Sequence, residues 1–425
     1  MTESQWRNPT HVNSVTRLEA PLLEFEHPYD KKPYLWRAWF TAKRLGYLMV
    51  LWIPCGTVAF AAWLTGNGTV RARWLRLMVQ TIEWAGCSFQ KFGQWLSMRP
   101  DLLPPDVIEA LSELRDNTAE HSMEHNRAMF RTSFGAELET FFSFFDSNAI
   151  ASASVGQVHR ATLRPEYAME DGSLEVAVKV RHPRVLDETW IDTTLIFAFM
   201  DNSGGLLTMP FSQQDFTFML QKQFDFEWEA YNMSKFAENF SQETGSSVLR
   251  FPSVSGDLLS PCVLVESWGK GGSVDNLFSS VGDNWVVTED NTNVSASVMK
   301  IKKELATVIF DMNMKMFLRD NFIHGDLHAG NLLYDNESGA LTVLDAGLIS
   351  QIPPAMNANF VLFIQGMCGG DAGAITDQLL VFDNRNVVAG LVNEEVQVQR
   401  PVLLKTVQAA CDRWVDATTG MAPDG

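Results

Sequence analysis

The chain has 425 residues, 46% of them apolar, and a formal net charge of −18. That length accommodates two or three domains with sizeable cores, and the acidic total argues against a nucleic-acid partner, which would need a basic face. The charge is unevenly spread: residues 31–82 carry eight cations (Lys31, Lys32, Arg37, Lys43, Arg44, Arg71, Arg73, Arg76) and no acid, which lowers the remainder by eight, to −26.

That split suggests a basic segment near anionic lipid joined to an acidic soluble body. The five cysteines (Cys55, Cys87, Cys262, Cys368, Cys411) form no CxxC pair, so neither a disulfide framework nor a zinc site is suggested, and a reducing compartment is expected.

Residues 1–30 read as a loosely ordered leader. Five acids, two arginines and no apolar run fit neither a secretory signal nor a mitochondrial transit peptide. The run Leu45–Leu64 holds twenty residues without a charge, close to the ~20 that span a bilayer. Lys43 and Arg44 precede it, Arg71 follows, and Trp36, Trp39 and Trp63 occupy the positions of interfacial aromatics. A membrane-associated helix is expected here; the alternative is a buried helix pair broken at Pro54.

From Trp74 to about Phe145 the pattern is helical, as in "PPDVIEALSELRD", where Val107, Leu111 and Leu114 share a face. Ala149–Val180 turns strand-like, ending in the alternating "EVAVKV". A helical stretch follows over Gln213–Phe240, then two strands in "FPSVSGDLLSPCVLVESW", then a largely helical remainder after Ala296. Helices, a small sheet and a helical half predict an α+β, bilobal arrangement with a cleft between the lobes. The expected order is a leader (1–30), a basic and apolar membrane-associated segment (31–73), a helical extension (74–148), an N-lobe (149–268) and a C-lobe (269–425).

The polar chemistry concentrates in "FIHGDLHAGNLLYDNESGALTVLDAGLIS". The spacing Asp326-x-x-x-x-Asn331, followed by Asp345-Ala346-Gly347, matches the phosphoryl-transfer set of kinase-like enzymes. Asp326 can orient or deprotonate an acceptor. Asn331 and Asp345 offer the oxygen ligands that hard Mg²⁺ prefers. A surface hairpin would need none of these residue types.

Upstream, "VAVKV" puts Ala177 and Lys179 on one strand face, with Val176, Val178 and Val180 on the other. Ala177 can lie against an adenine ring while Lys179 reaches the phosphates. Glu229, in "FEWEAYNMSKF", is the carboxylate expected to fix the lysine; Glu227, two residues away, faces elsewhere on a helix. Glu266 falls where a lobe-connecting hinge would pass the adenine edge. The glycine-rich loop of ordinary kinases is missing, since "IASASVGQVHRA" contains only Gly156. His328 stands where protein kinases usually carry lysine, and no A-P-E stretch follows Asp345. This is not an ordinary protein kinase.

Together, "KFGQWLSMRPDLLP", "ASASVGQVH", "VAVKV", "DFEWEAYNMSKF", "HGDLHAGN" and "LDAG" resemble the UbiB/aarF-domain family of atypical kinases across about residues 75–370. The apolar segment ahead of "KFGQW" is most similar to the aarF-domain kinases of eukaryotic organelles. The resemblance implies a protein-kinase-like fold on the matrix or stromal side of an organelle membrane, the mitochondrial inner membrane first and a plastid as the alternative. It implies ATP and Mg²⁺ as cofactors, and membrane or isoprenoid lipid and a lipid-biosynthesis complex as partners. ATPase or lipid phosphotransferase chemistry in support of ubiquinone or other isoprenoid metabolism is implied, rather than protein phosphorylation.

Residue by residue, the resemblance makes Lys91 and Gln94 part of a helix that folds over the cleft and excludes protein substrates. It makes Ala151, Ser152, Ala153, Ser154 and Gly156 the nucleotide loop, Lys179 and Glu229 an ion pair, Asp326 the catalytic acid, and Asn331 and Asp345 the metal ligands. Ser152 interrupts the family's alanine run and Ala329 replaces a usual proline. Gln223 stands two residues before Asp225, where the family usually has the glutamate that would partner Lys91. A hydrogen bond from Gln223 would be weaker than a charged pair. Two rivals remain open: a small-molecule phosphotransferase of the aminoglycoside or choline kinase type, and a catalytically weak, lipid-binding scaffold with a kinase fold.

Overall fold

The longest apolar stretch forms α1 (Tyr34–Thr65), a single helix that runs through Pro54. The alternative, a helix pair broken at Pro54, does not occur. Pro54 lies on the exposed side of α1, and so does Val50, whose carbonyl loses its helical partner there. The helix is long and apolar enough to cross a membrane. It ends at Gly66, in the left-handed conformation, and the Asn67 side chain caps α2 (Gly68–Ala85) by accepting from Thr69 N and Val70 N at 2.8 and 3.3 Å. α3 (Cys87–Ser97) and α4 (Pro105–Ser112) follow, and Val107, Leu111 and Leu114 pack with Met78 and Ile82 in one buried cluster.

In this computed structural model the structure describes Tyr29 and residues 32–97, 99–100, 102–112, 114, 118, 120–202, 213–241, 249–279, 292–382 and 394–419. Apart from Tyr29, the expected leader at 1–30 lies outside the described residues.

After α5 (Met123–Phe134) and the short α6 (Leu138–Phe141) comes a six-stranded antiparallel sheet. It comprises β1 (Phe142–Phe145), β2 (Ala151–Ser152), β3 (Gly156–Leu163), β4 (Glu175–Arg181), β6 (Val254–Ser260) and β7 (Val263–Ser267), in the order β1-β3-β4-β7-β6 with β2 on β3. Phe142–Phe145 is thus a strand, not the end of a helical region. Phe142 and Phe145 complete the sheet's inner core, and Phe130 of α5 sits against Phe142 at 5.5 Å.

Period-two alternation then divides the sheet into two unlike faces. Val176, Val178, Val180, Val263 and Val265 are fully buried against Phe130 and Leu258. Ala177, Lys179, Leu264 and Glu266 face the other way, and Leu264 packs on Phe226 and Ala230.

Between sheet strands lie α7 (Val185–Asp201), which the sequence reading passed over, α8 (Gln213–Phe224) and α9 (Phe226–Phe240). The stretch Gln213–Phe240 is two helices rather than one. Asp225 leaves helical geometry and caps α9 by accepting from Glu227 N at 2.9 Å. A second sheet pairs β5 (Leu249–Arg250), β8 (Gly272–Ser273), β10 (Leu332–Tyr334) and β11 (Leu341–Val343) in the order β5-β11-β10-β8.

The chain divides into two compact units, Met1–Trp285 with Asp326–Leu348, and Val286–Gly325 with Ile349–Gly425. Asp326–Leu348 therefore belongs with the N-terminal unit instead of with one continuous C-lobe from residue 269. The cause is β10–β11, which hydrogen-bond to β8 and β5. The second unit holds α10 (Thr292–Lys315), the pair β9 (Ile323–His324) with β12 (Ile349–Ser350), α11 (Pro354–Gly369), α12 (Ala372–Phe382) and α13 (Glu394–Thr419).

Candidate functional site

Strand pairing sets the first part of the site. Register places Lys179 opposite Val158 of β3 on one side and Leu264 of β7 on the other. With its apolar neighbours turned into the core, Lys179 extends from the polar face. It forms a tight ion pair with Glu229 of α9, and Glu266 Oε1 lies 3.5 Å from the same ammonium.

Glu266 is therefore a strand residue beside the lysine, opposite Ala177, and not a hinge residue. Alternation from Val263 and Val265 in the core puts Glu266 on the lysine's face, a signal present in the sequence. Burial works against the Lys179 ammonium, but the carboxylates of Glu229, Glu266 and Asp345 outweigh it and hold its pKa well above normal. Burial pushes the Glu229 and Glu266 carboxyls upward, against the pull of the shared lysine, and Asp345 adds to the shift. Glu227 is not among the described residues around Lys179.

A tight turn supplies the second part. Ala153 N donates to Gly156 O at 2.9 Å, which folds residues 153–156 between β2 and β3. Gly156 is required for close strand approach, because a Cβ there would meet Val180 O at 2.6 Å.

Behind this turn lies a polar network that the sequence reading missed. His182 donates from Nε2 to Ala153 O at 2.9 Å, and its Nδ1 sits 2.7 Å from Nδ1 of His121. His121 contacts Asn126 Oδ1 at 2.6 Å, and Asn126 and Gln157 both donate to His159 Nε2, at 3.0 and 2.8 Å. At most one proton fits between the two Nδ1 atoms. Burial pushes the His121 pKa down to about 4, and pushes His159 and His182 down as well. Five residues scattered over 62 positions give no periodic signal, so only the fold reveals them.

The third part comes from the loops flanking β10 and β11. Leu332 pairs with Val343, and Leu344 N donates to Asn331 O at 2.8 Å, so Asn331 and Asp345 flank one pair of strands. Asn331 Nδ2 donates to Asp326 O at 3.1 Å and ties the first acid to the same turn. Asp345 has φ +53°, left-handed for a non-glycine residue, and its Oδ1 accepts from Gly347 N at 3.0 Å. Asn232, one turn beyond Glu229 on α9, is buried and donates to Ala346 O at 2.8 Å. One helix thus holds both the lysine's partner and the Asp345 turn. The spacing of Asn232 from Glu229 carried that signal.

These parts surround one open cleft of about 90 Å³ within the first unit, lined by Ala153, Ser154, Gly156, Lys179, Glu229, Asp326, Asp345 and Gly347. Lys91 of α3 lines it too, its ammonium 3.7 Å from Asp326 Oδ2, and Gln223 of α8 faces the same space. Ala151, Ser152, Ala177, Glu266, Asn331, Gln94 and Asp225 are not among its lining residues. Ala151 and Ser152 pair with β3, and Asp225 caps α9. Phe92 and Trp95 stack at 5.9 Å, and Phe92 packs with α7 and α8.

The model of the ABC1 atypical kinase-like domain matches residues 113–379. The chain belongs to this ABC1 (UbiB/aarF) family. It is 33% identical over 270 residues to "Probable serine/threonine-protein kinase abkC" of Dictyostelium discoideum, covering 62% of this chain and 35% of that protein. A mitochondrial ABC1 family protein of Schizosaccharomyces pombe is 26% identical over 299 residues, covering 61% and 39%. "Probable protein kinase UbiB" of Aeromonas hydrophila is 29% identical over 303 residues, covering 68% and 50%. The chain spans a third to a half of the length of these curated relatives. Among ABC1 proteins the fold is kinase-like, as expected from the motifs.

Proposed function

We propose that this ABC1 chain binds ATP with Mg²⁺ in the Lys179 cleft and acts as an ATPase or as a small-molecule or lipid phosphotransferase. The observation that carries the reading is the convergence of Lys179–Glu229, Asp326 and Asp345 on one cleft beneath the turn 153–156. Lys179 would hold the α- and β-phosphates, and the backbone of the short turn would cover them. Asp326 would orient an acceptor hydroxyl or water. Asn331 and Asp345 would hold Mg²⁺, which when bound neutralises the phosphate charge. The donor set fits: an amide and a carboxylate leave coordination positions for phosphate oxygens. Among the described residues no group of three or more His, Cys, Asp or Glu is placed to hold a metal ion.

Lys91 on Asp326 favours a second reading, a nucleotide-binding scaffold with slow turnover, because the ammonium covers the carboxylate that would serve the acceptor. By likeness to the mitochondrial and UbiB relatives, the working site would be an organelle membrane, mitochondrial inner membrane first, in support of ubiquinone or other isoprenoid-lipid metabolism. The apolar helix α1 and the basic segment 31–82 support membrane association. A phosphate-release assay with Mg·ATP, run with and without anionic vesicles carrying an isoprenoid lipid, tests the reading. Release stimulated by the vesicles supports an enzyme; nucleotide binding without release supports the scaffold.

A further inference from the structure

The length and composition of α1 allow it to cross a bilayer, but its packing does not leave it free to do so. One side is covered along its whole length. Phe40 packs on Ile191 of α7, and Arg44 binds Asp192 at 2.6 and 3.0 Å and Glu188 at 3.2 Å on the same helix. Farther along, α2 takes over: the Tyr47 hydroxyl donates to Trp84 O at 2.7 Å, and Cys55 packs with Met78 and Ile82. These contacts make α1 and α2 antiparallel, so Arg71, Arg73 and Arg76 run beside the second half of Leu45–Leu64. Arg71 is further bound to Asp106 of α4 at 2.5 and 2.9 Å. A crossing by Leu45–Leu64 would carry these charges into hydrocarbon, where charged side chains are strongly disfavoured.

The opposite side of α1 is bare. Leu35, Trp39, Val50, Ile53, Phe60 and Leu64 fall on one helical stripe and are 60–80% exposed. Lys43 lies over the Trp39 ring at 5.4 Å, an arrangement suited to the headgroup level. The surrounding segment is wholly cationic, whereas the rest of the chain is strongly acidic. An anionic surface would attract this face and repel the remainder.

We propose that α1 lies flat in the headgroup boundary of an anionic membrane, apolar stripe downward, without crossing it. The inference rests on the membrane association proposed above. The test uses the full chain on vesicles of phosphatidylcholine and phosphatidylglycerol. Trp39→Cys, Val50→Cys, Ile53→Cys and Phe60→Cys are each nitroxide-labelled in a background of Cys262→Ser, Cys368→Ser and Cys411→Ser. Similar shallow depths at all four positions support the in-plane helix. A depth profile deepest at Ile53 and shallow at Trp39 overturns it while leaving membrane association standing.

Ile53→Asp should weaken vesicle binding by about 10-fold or more without lowering Tm, because the side chain is exposed. Unchanged binding also overturns the proposal. If the wild type ignores vesicles and forms a dimer that Ile53→Asp dissociates, a second copy covers the stripe, and the membrane reading itself fails.

Discussion

Two lysines face the same cleft, and they are held differently. Lys179 rises from the middle of a strand, is 12% exposed, and is gripped by two carboxylates that are themselves buried. Lys91 sits on a helix outside the sheet and meets Asp326 at 3.7 Å, with that carboxylate 43% exposed. The first contact has both partners buried; in the second Lys91 is 15% exposed, and only its partner Asp326 reaches solvent. A buried pair is costly to break because its survivors stay uncompensated, whereas an exposed pair contributes little to stability. The contrast leads us to propose that Lys179 belongs to the permanent frame of the site, while Lys91 acts as a latch that lifts without unfolding the protein.

The largest expected effect comes from breaking the frame. Lys179→Met leaves Glu229 and Glu266 buried without their cation and should cost about 3–5 kcal/mol at neutral pH. Carboxyls raised by burial take up protons in the folded state, so the deficit should shrink on acidification and grow as pH rises through their raised pKa. Thermal unfolding of variant and wild type between about pH 5 and 8 checks this. A deficit that ignores pH would mean the two carboxylates do not depend on the lysine.

A smaller effect is expected from the histidines behind the turn. Their pKa values are lowered in the folded state, so the unfolded chain binds more protons and stability falls as pH drops from 6.5 toward about 4. The His121 share should be about 2 kcal/mol once solvent screening is allowed for. His121→Gln should flatten that acid limb in a pH series of unfolding curves. If the variant loses stability on acidification as steeply as the wild type, the network does not titrate with folding.

Lys91→Ala should change stability by less than about 1 kcal/mol. It should leave nucleotide binding in place and alter phosphate release, because the ammonium that meets Asp326 is removed. Equal release rates in variant and wild type would reduce Lys91 to a surface lysine. Gln223→Glu should have the smallest effect, a slower release, since a second carboxylate facing the same cleft would strengthen the hold on Lys91. Faster release would show that Gln223 plays no part in the latch.

Much of the frame was legible in the sequence, because strand alternation and the D-x-x-x-x-N and D-x-G spacings are local patterns. "VAVKV" separated core valines from the lysine, and the spacing of Asp326, Asn331 and Asp345 located the loops. Long-range pairings were less legible. Alternation puts Glu266 on the polar face of its strand, but its place beside Lys179 follows only from the β4–β7 register. The aromatic run Phe142–Phe145 continued a helical pattern and gave no local sign that a sheet would capture it. Asp225 looked like a helix-interior residue and proved to be a cap. The partner of Lys91 could not be read, because α3 reaches Asp326 across 235 positions of sequence.

The central claim, that Lys179 and Asp345 together form a nucleotide site, is tested most directly by Mg·ATP thermal shift. The wild type should be stabilised by Mg·ATP and little affected by ATP without Mg²⁺. Lys179→Ala should weaken that shift, and Asp345→Asn should abolish it, since it removes the carboxylate nearest the phosphates. Wild-type Mg·ATP shifts in both variants would contradict the account.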